Sequence, residues 1–359
     1  MLGRHYKNKR ELAMRLTRSP AKRLFLVLAA SLLATSAQAR MEALDDAELS
    51  NVTGQAFINL TTDANAGINY TRINLGVDVD TQLNMKKLQL GQYNDSVTRP
   101  GEIAGSSDIL INNFALGTVN ADGSINPFRI SNPFLELAYS GNKVVGVRIG
   151  FGEAKGVLSG DIQSLTGNIP VHIKGTGQAI YDKSNFVQQT ALFLAGVYTS
   201  SVVEADANLV TSGGNLDPVR GTMAGIKNGD GLNCTSGCAG GWTDALLGAF
   251  ASNNCSILGI QTCFNLSQFQ SLPVGNTSNM ANMEGAAKGF FISLQTQDVA
   301  WRDMDSNAFM TALKGAFMNM PKYRDANGNL VSPINIDFNQ AFNGIPRQDT
   351  CLGSATKGC

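Results

Sequence analysis

The chain has 359 residues, of which 16% are charged, and its 28 basic and 28 acidic side chains balance at neutral pH. Glycine is abundant, with 38 residues, and asparagine, serine and threonine are also plentiful. This composition is typical of exported proteins built from many short strands and turns, rather than of a cytosolic α/β enzyme.

The first 39 residues have the features of a secretory signal peptide. Four basic residues between Arg15 and Arg23 precede an apolar run over residues 24–34, and the small-residue sequence A-Q-A ends at Ala39. A transmembrane helix is the alternative, but it needs about 20 apolar residues and this run has about eleven. We therefore expect export, with cleavage after Ala39.

Cleavage would change the charge of the protein. Eight of the basic residues and one acidic residue lie in positions 1–39, so the mature chain keeps 20 basic and 27 acidic side chains, a net charge of −7. An acidic chain without a basic cluster argues against nucleic acid and anionic lipid headgroups as partners. No later apolar run is long enough for a transmembrane helix.

A short helical motif is predicted over residues 40–55, where the chain reads LDDAELSNVTGQ from Leu44 to Gln55. Asp45 and Asp46 favour a helix N-terminus, and Gly54 favours its end. The pattern LDDxELSxVxGQ, followed by glycine- and asparagine-rich β-sequence, resembles that of exported proteobacterial pilus-system proteins of the FilA type. The resemblance implies a surface or filament-associated role and carries over no catalytic residue.

Alternating apolar residues then predict successive strands. They occur over residues 56–60, 68–79, 83–90 and 108–119, with a loop over 94–107 and a hairpin turn at Ala121-Asp122-Gly123.

The clearest alternation lies within residues 125–174, after a predicted turn at 140–142. Val145, Val147, Ile149 and Phe151 share one face of a strand, and Gly146, Arg148 and Gly150 share the other, as in a half-buried strand. The glycines of Gly150–Gly156 have the spacing GxGxxxG, which does not fit a nucleotide-binding loop. They are interpreted as turns of a β-sheet.

The composition changes near residue 184. We expect the second half of Phe186–Tyr198 to be a strand, and short helices over Trp242–Phe250 and Asn307–Met320. Alternation resumes over 289–301, and a last strand is expected over 334–338. The prediction is a mainly β fold, an irregular antiparallel β-sandwich or β-roll, with a few short helices in the C-terminal third. Its parts are a β-rich domain over 56–210 and a mixed, disulfide-containing region over 211–359 packed on it.

All six cysteines lie in the C-terminal third, and their spacing favours three local disulfides in an exported chain. The expected pairs are Cys234 with Cys238, Cys255 with Cys263, and Cys351 with Cys359. A zinc site is the alternative for the four cysteines between 234 and 263, but no CxxC pair is present and an oxidising compartment favours disulfides.

Few residues offer catalytic or metal-binding chemistry. His172 is the only histidine after the signal peptide, no GxSxG motif accompanies it, and it is interpreted as a surface residue on a strand. Asp303, Asp305 and Asn307 form the opening of a calcium loop, but Ala308 and Lys314 stand where an EF-hand has glycine and glutamate. The alternative is that Asp305 or Ser306 caps the following helix.

These observations predict a non-enzymatic exported protein without a cofactor, located at the cell surface, in the outer membrane or in the periplasm. Its partners would be envelope or surface proteins, in a pilus-like or filament assembly. The alternative is a carrier that assists uptake of a fatty acid, an alkane or another lipid, because continuous apolar segments such as 134–139 and 191–197 could enclose such a ligand. A hydrolase built on His172 is a third hypothesis.

Overall fold

The structure is a computed structural model that describes residues 58–94, 105–239, 251–325 and 327–351. In chain order the first strands are β1 (Ile58–Asn65), β2 (Ile68–Leu75), β3 (Asp78–Thr81), β4 (Leu83–Gln92), β5 (Ser107–Leu116), β6 (Thr118–Val119), β7 (Ile125–Asn126), β8 (Phe128–Ser140), β9 (Lys143–Leu165), β10 (Gly167–Asn168), β11 (Val171–Thr176) and β12 (Val202–Val210). The later strands are β13 (Met223–Gly225), β14 (Asn233–Ser236), β15 (Ser256–Ile257), β16 (Ile260–Gln261), β17 (Cys263–Asn265), β18 (Ser271–Val274), β19 (Ala287–Gln295), β20 (Val299–Arg302), β21 (Phe309–Ala312), β22 (Gly315–Asn319), β23 (Tyr323–Arg324), β24 (Leu330–Val331) and β25 (Ile334–Ile336). The helices are α1 (Gln178–Asp182), α2 (Phe186–Leu194) and α3 (Phe338–Asn343), with a 3₁₀ turn at Leu266–Gln268.

The prediction of a mainly β, sandwich-like fold is confirmed. An eleven-stranded sheet contains the order β1-β2-β8-β9-β19-β22-β10, and β3, β4, β5 and β18 join it from the side. A six-stranded sheet has the order β17-β13-β12-β11-β25, with β14 also paired to β12. The large sheet takes strands from both sides of residue 210.

Strand β9 is the longest described strand, with 23 residues, and it organises the large sheet. Its first half pairs with β8 and β19, and its second half pairs with β5 and β18. The predicted turn at 140–142 joins β8 to β9, and Gly141 has a φ of 57°, which favours glycine. Gly150–Gly156 lies inside β9, so these glycines do not form turns.

Two apolar cores stabilise the fold. The larger core lies between the two sheets and includes Ile111 and Leu158 of the large sheet and Ile173, Leu209 and Ile334 of the smaller one. The second core lies on the other side of the large sheet, beneath the β20–β21 hairpin, where it includes Tyr70, Phe134, Phe291, Trp301 and Phe317. Both sides of the large sheet are therefore covered, but at different places.

The alternation predicted for β9 is present. In its first half, however, the arginine is on the buried side and an isoleucine is on the exposed side, which is the reverse of the usual half-buried strand. Arg148 is 1% exposed and Ile149 is 60% exposed. The rings of Trp301 and Phe134 lie so close to Gly146 and Gly150, respectively, that a Cβ on either glycine would come within 3 Å of a ring atom. The glycines and the arginine therefore face the second core, and Val147, Ile149 and Phe151 face away from it. The prediction that Val145 shares their face is wrong, because a bulge at this residue places its side chain in the second core.

The predicted strand in the second half of Phe186–Tyr198 is wrong, because α2 occupies residues 186–194. The side chain of Asn185 accepts a hydrogen bond from the Gln188 backbone N–H, and the Gln188 side chain accepts one from the Asn185 N–H. This capping box satisfies two of the free N–H groups at the helix start and favours a helix. Helices α1 and α2 both lie before the C-terminal third of the chain, where the short helices were expected.

The helix predicted over Asn307–Met320 is also wrong, since β21 and β22 occupy this segment. Phe309 pairs with Arg302 of β20, and Phe317 pairs with Ser293 of β19. Gly315, the first residue of β22, has a φ of 107°, which an α-helix does not allow. Pairing with strands near in space therefore overrides the local helical pattern.

Several predicted segments lie outside the described residues: the signal peptide (1–39), the helical motif (40–55), most of the 94–107 loop, and the helix over Trp242–Phe250. Within the described ranges, no helix is long and apolar enough to cross a bilayer.

Candidate interaction surface

Five neighbouring strands of the large sheet bring apolar side chains into rows. In one row, Leu60 of β1 lies opposite Ile73 of β2, which lies opposite Leu135 of β8, and the row continues to Ile149 of β9 and Ile292 of β19. Residues paired in this way point to the same side of a sheet. The neighbouring rows mix apolar side chains with the uncharged polar residues Thr62, Thr71 and Asn69.

We call this surface the apolar face. It consists of Ile58, Leu60, Thr62, Ala64, Asn69, Thr71, Ile73, Leu75, Pro133, Leu135, Leu137, Tyr139, Val144, Val147, Ile149, Phe151, Ile292 and Leu294. None of these side chains is charged, and none is fully buried. Charged residues normally keep an exposed sheet face from associating, so their absence distinguishes this surface.

Several large side chains of the apolar face are exposed, and the others are half-buried. Leu60 is 64% exposed, Ile149 60% and Leu294 48%. Towards β22 the same side of the sheet passes under the smaller sheet, where Met318 is 1% exposed. The apolar face thus continues from the main core, against which Phe151 and Ile292 pack, to the exposed side chains of β1, β8 and β9.

The dimensions of the apolar face follow from sheet geometry. Five strands about 4.8 Å apart, and six-residue spans rising about 3.3 Å per residue, give an area of roughly 20 Å by 20 Å, or about 400 Å². Patches of about 300–600 Å² are the largest that a typical monomer exposes, and they are often functional. The alternation predicted Val147, Ile149 and Phe151 as one face, but it did not indicate that the face is uncovered.

An ion pair on the opposite side of the sheet holds β1 in place. Arg302 of β20 donates two hydrogen bonds to the Asp63 carboxylate, from Nε to Oδ2 and from Nη2 to Oδ1, the latter over 2.9 Å. These hydrogen bonds outweigh partial burial and hold the pKa of Asp63 below its usual value. A carboxylate with a depressed pKa stabilises the fold above its ordinary pKa and loses that contribution as the pH falls.

We therefore expect Asp63→Asn to lower the free energy of unfolding at pH 6 by about 1 kcal/mol or less, because the pair is partly solvated. The difference between the variant and the parent should disappear on acidification from about pH 4 to pH 2, as Asp63 of the parent takes up a proton. Urea unfolding at pH 6 and at pH 2 measures this. A difference of equal size at both pH values would contradict the ion-pair explanation.

The interior between the sheets is filled. Two apolar cavities there measure about 50 and 30 Å³, and the larger one is lined by residues such as Ile162, Leu209, Phe269 and Met318. Pockets for small-molecule ligands usually measure about 300–1,000 Å³. These two cavities, lined by described residues, are too small for a fatty acid.

The predicted surface histidine lies in an open polar cleft of about 770 Å³. Nδ1 of His172 is 3.0 Å from Asp206 Oδ1, and Nε2 is 3.5 Å from Glu204 Oε2. Lys322 also pairs with Asp206, and Lys174 with Glu204. Opposite charges on neighbouring strands stabilise a sheet by about 0.2–1 kcal/mol per pair, and this arrangement fits that role.

The three calcium candidates lie in the turn between β20 and β21. Asp303 Oδ1 accepts hydrogen bonds from the backbone N–H groups of Asp305 and Ser306 and from the Ser306 hydroxyl. Asp305 lies 3.9 Å from Arg324, and Asn307 has a φ of 56°. These contacts are those of an Asx turn between strands. The alternative, capping of a following helix, is wrong because β21 follows.

Four of the cysteines form two local disulfides, as their spacing predicts. Cys234 bonds to Cys238 with Cα atoms 6.5 Å apart, and Cys255 bonds to Cys263 with Cα atoms 5.1 Å apart. Cys351 is also disulfide-bonded, and its predicted partner, Cys359, lies outside the described residues. Within the described ranges, no group of three or more His, Cys, Asp or Glu side chains could hold a metal ion.

A second group of exposed apolar side chains lies on α2. Phe186, Val187, Phe193 and Leu194 are 60–82% exposed and share one side of this nine-residue helix. The group has four large side chains, whereas the apolar face spans five strands and reaches the sheet edge at β1. The apolar face is therefore the stronger candidate.

In a comparison with protein families, residues 19–125 match a family of unknown function, DUF6160. The matched segment includes β1 and β2 of the apolar face and covers less than half of the chain. Comparisons with curated proteins and with solved structures give no significant match.

Proposed function

We propose that this chain is a non-enzymatic exported bacterial protein of the cell envelope or surface that associates with other proteins through its apolar face, as a component of a pilus-like or filament assembly. The observation that carries the proposal is the uncharged apolar face, with Ile149 at its centre 60% exposed. Complete burial of one such side chain contributes about 1.5–3 kcal/mol. A row of them therefore supplies enough energy for a specific contact.

The sequence supports the same function. The predicted signal peptide directs the chain to the envelope, and the segment Leu44–Gln55 resembles exported pilus-system proteins. Local disulfides suit an oxidising compartment outside the cytoplasm. His172, the residue on which a hydrolase would depend, is engaged by Asp206 and Glu204 in the polar cleft.

The test is a charge placed in the middle of the apolar face. We expect Ile149→Glu to abolish co-fractionation of the chain with envelope or surface assemblies, because a buried unpaired carboxylate opposes association. Leu216→Glu is the matched control, since Leu216 is 56% exposed and lies outside the apolar face. The control should fractionate like the parent.

Two outcomes would count against the proposal. If Ile149→Glu and the parent fractionate alike, the apolar face does not mediate association. If native mass spectrometry after gentle extraction shows a lipid bound to the parent and lost from Ile149→Glu, the face binds lipid and the carrier function is favoured. Circular dichroism should show that both glutamate variants keep the fold of the parent.

A further inference from the structure

Strand β1 is a free edge of the large sheet. It has eight residues and, among the described residues, pairs only with β2. Its sequence, INLTTDAN, contains no proline and no lysine, and its register with β2 has no bulge. Natural proteins usually protect an edge strand with a proline, a lysine or a bulge, because an unprotected edge pairs readily with another strand.

The turn after β1 determines which backbone groups are available. Ala66 and Gly67 have φ angles of 48° and 81°, as in a two-residue type I′ hairpin, and Asn65 pairs with Ile68 across it. Asn65 and Ile68 are therefore hydrogen-bonded to each other, and the odd-numbered residues of β1 bond to β2. The N–H and C=O groups of Ile58, Leu60, Thr62 and Ala64 point away from the sheet.

We infer that β1 pairs with β1 of a second copy of this chain, in antiparallel orientation about a two-fold axis at Thr61. In this register, Ile58 lies opposite Ala64 of the second copy, and Leu60 lies opposite its Thr62. This register pairs all four outward-pointing residues with residues of β1. If the register is shifted by two residues, at least one of the four lies opposite a residue outside β1. The inference rests on the proposed function and names the partner.

The side chains also fit this register. On the apolar face, aliphatic residues meet alanine and threonine. On the other side, Thr61 meets Thr61 of the second copy, and the Asn59 amide meets a carboxylate, Asp63. Threonine pairs and amide–carboxylate pairs favour cross-strand pairing, and no like charges lie directly opposite each other.

Pairing would also enlarge the apolar face. A two-fold axis perpendicular to the sheet keeps both apolar faces on the same side, so two copies present about 800 Å² in place of about 400 Å². A stable protein–protein interface buries about 800 Å² on each partner. The paired edge thus gives the apolar face the area that a specific contact with the envelope assembly needs.

A cysteine at the two-fold axis tests this register. The described cysteines are all in disulfides, so Thr61→Cys adds one accessible thiol. Residue 61 forms a non-hydrogen-bonded pair with itself, and the Cα atoms in such a pair are about 4.5 Å apart, within disulfide range. We expect mild oxidation to convert most of the Thr61→Cys chain to a covalent dimer that reductant reverses.

Asn59→Cys is the matched control on the same strand and the same side of the sheet. In the inferred register, the two copies of residue 59 are four residues apart along the strands, or about 13 Å, which no disulfide can span. We expect little covalent dimer from this variant. Absence of dimer from Thr61→Cys, or equal yields from both variants, would overturn the inference.

Leu60→Pro provides a second test that needs no thiol. It removes an outward-pointing N–H and leaves the hydrogen bonds between β1 and β2 in place. Sedimentation velocity should show a monomer for Leu60→Pro and a dimer for Leu60→Val. A Leu60→Pro chain that is folded by circular dichroism yet remains dimeric would contradict the inference.

Ile149→Glu separates the inferred dimer from the proposed function. This substitution should abolish association with envelope assemblies but leave the Thr61→Cys cross-link unchanged.

Discussion

Replacing Asp108 with alanine is expected to lower the free energy of unfolding by about 3–5 kcal/mol, because it removes a buried carboxylate that pairs with a buried arginine and accepts a hydrogen bond from a backbone N–H. Asp108 is fully buried, and its Oδ1 lies 2.9 Å from Nε of Arg220, which is 4% exposed. Its Oδ2 accepts a hydrogen bond of 2.8 Å from the Ala316 N–H. The pair joins β5 and β22 to the segment before β13.

The net contribution of the pair is smaller than the cost of breaking it. Burial raises the pKa of Asp108 even though Ala316, Arg220 and Tyr93 favour its charged form, so desolvation is not fully offset. We therefore expect the free energy of unfolding of the double variant Asp108→Leu/Arg220→Met to lie between those of the parent and of Asp108→Ala. The parent should be the most stable of the three. Urea unfolding of the two variants and the parent measures this order.

Asp80→Ala is the control for loss of an aspartate from an ion pair. Asp80 lies 3.3 Å from Arg129, and its side chain is 54% exposed. An exposed pair contributes about 0–1 kcal/mol, so this variant should unfold almost like the parent. If Asp80→Ala and Asp108→Ala have the same effect, burial of the Asp108–Arg220 pair does not explain its importance.

Local patterns in the sequence predicted the elements whose causes are local. Strand β9 has a two-residue period from Gly146 to Phe151, and the turn over 140–142 contains the glycine that its backbone needs. The two disulfides within 234–263 follow from short spacing in an exported chain. The fold class could be predicted for the same reason, since most described strands alternate or end in recognisable turns.

The predictions failed where distant residues decide the structure. Gly150 looked like a turn residue, but it lies inside β9 and the Phe134 ring covers it from β8. The segment 307–320 has helical periodicity, but its partners in β19 and β20 hold it as strands. The α2 helix is an exception, because its capping box, Asn185 with Gln188, was readable in the sequence.

The apolar face could be predicted only in part, for the same reason. Val147, Ile149 and Phe151 form a recognisable apolar row in the sequence. Whether that row is covered depends on where the smaller sheet and the β20–β21 hairpin pack. The hairpin packs on the opposite side of the sheet, and Arg148 is the residue that this packing buries.

Replacing Glu136 with alanine is expected to have the second large effect on stability, again about 3–5 kcal/mol. Glu136 is 3% exposed and forms ion pairs with Arg148, through Nε, and with Arg72. Without its carboxylate, two neighbouring guanidinium groups share a largely buried site. Burial lowers the pKa of Arg148 to about 10 although Glu136 acts to raise it, so the carboxylate is needed to keep this cation inside.

Aromatic rings supply the rest of the environment of Arg148. Its guanidinium carbon lies 4.9 Å from the ring centre of Phe291, 5.0 Å from Trp301 and 5.2 Å from Phe134. Cation–π contacts of this kind contribute about 0.5–2 kcal/mol each. The parent already makes these contacts, so they do not offset the loss of the Glu136 carboxylate.

The order of two variants tests this explanation. Arg148→Met removes one cation and leaves Glu136 paired with Arg72, so it should cost less than Glu136→Ala. Glu153→Ala, a partly buried glutamate of β9, is the control and should cost less than about 1 kcal/mol. Urea unfolding gives the free energy of unfolding of the three variants. If Arg148→Met is less stable than Glu136→Ala, the contacts between the guanidinium and the rings contribute more to stability than the ion pair with the carboxylate.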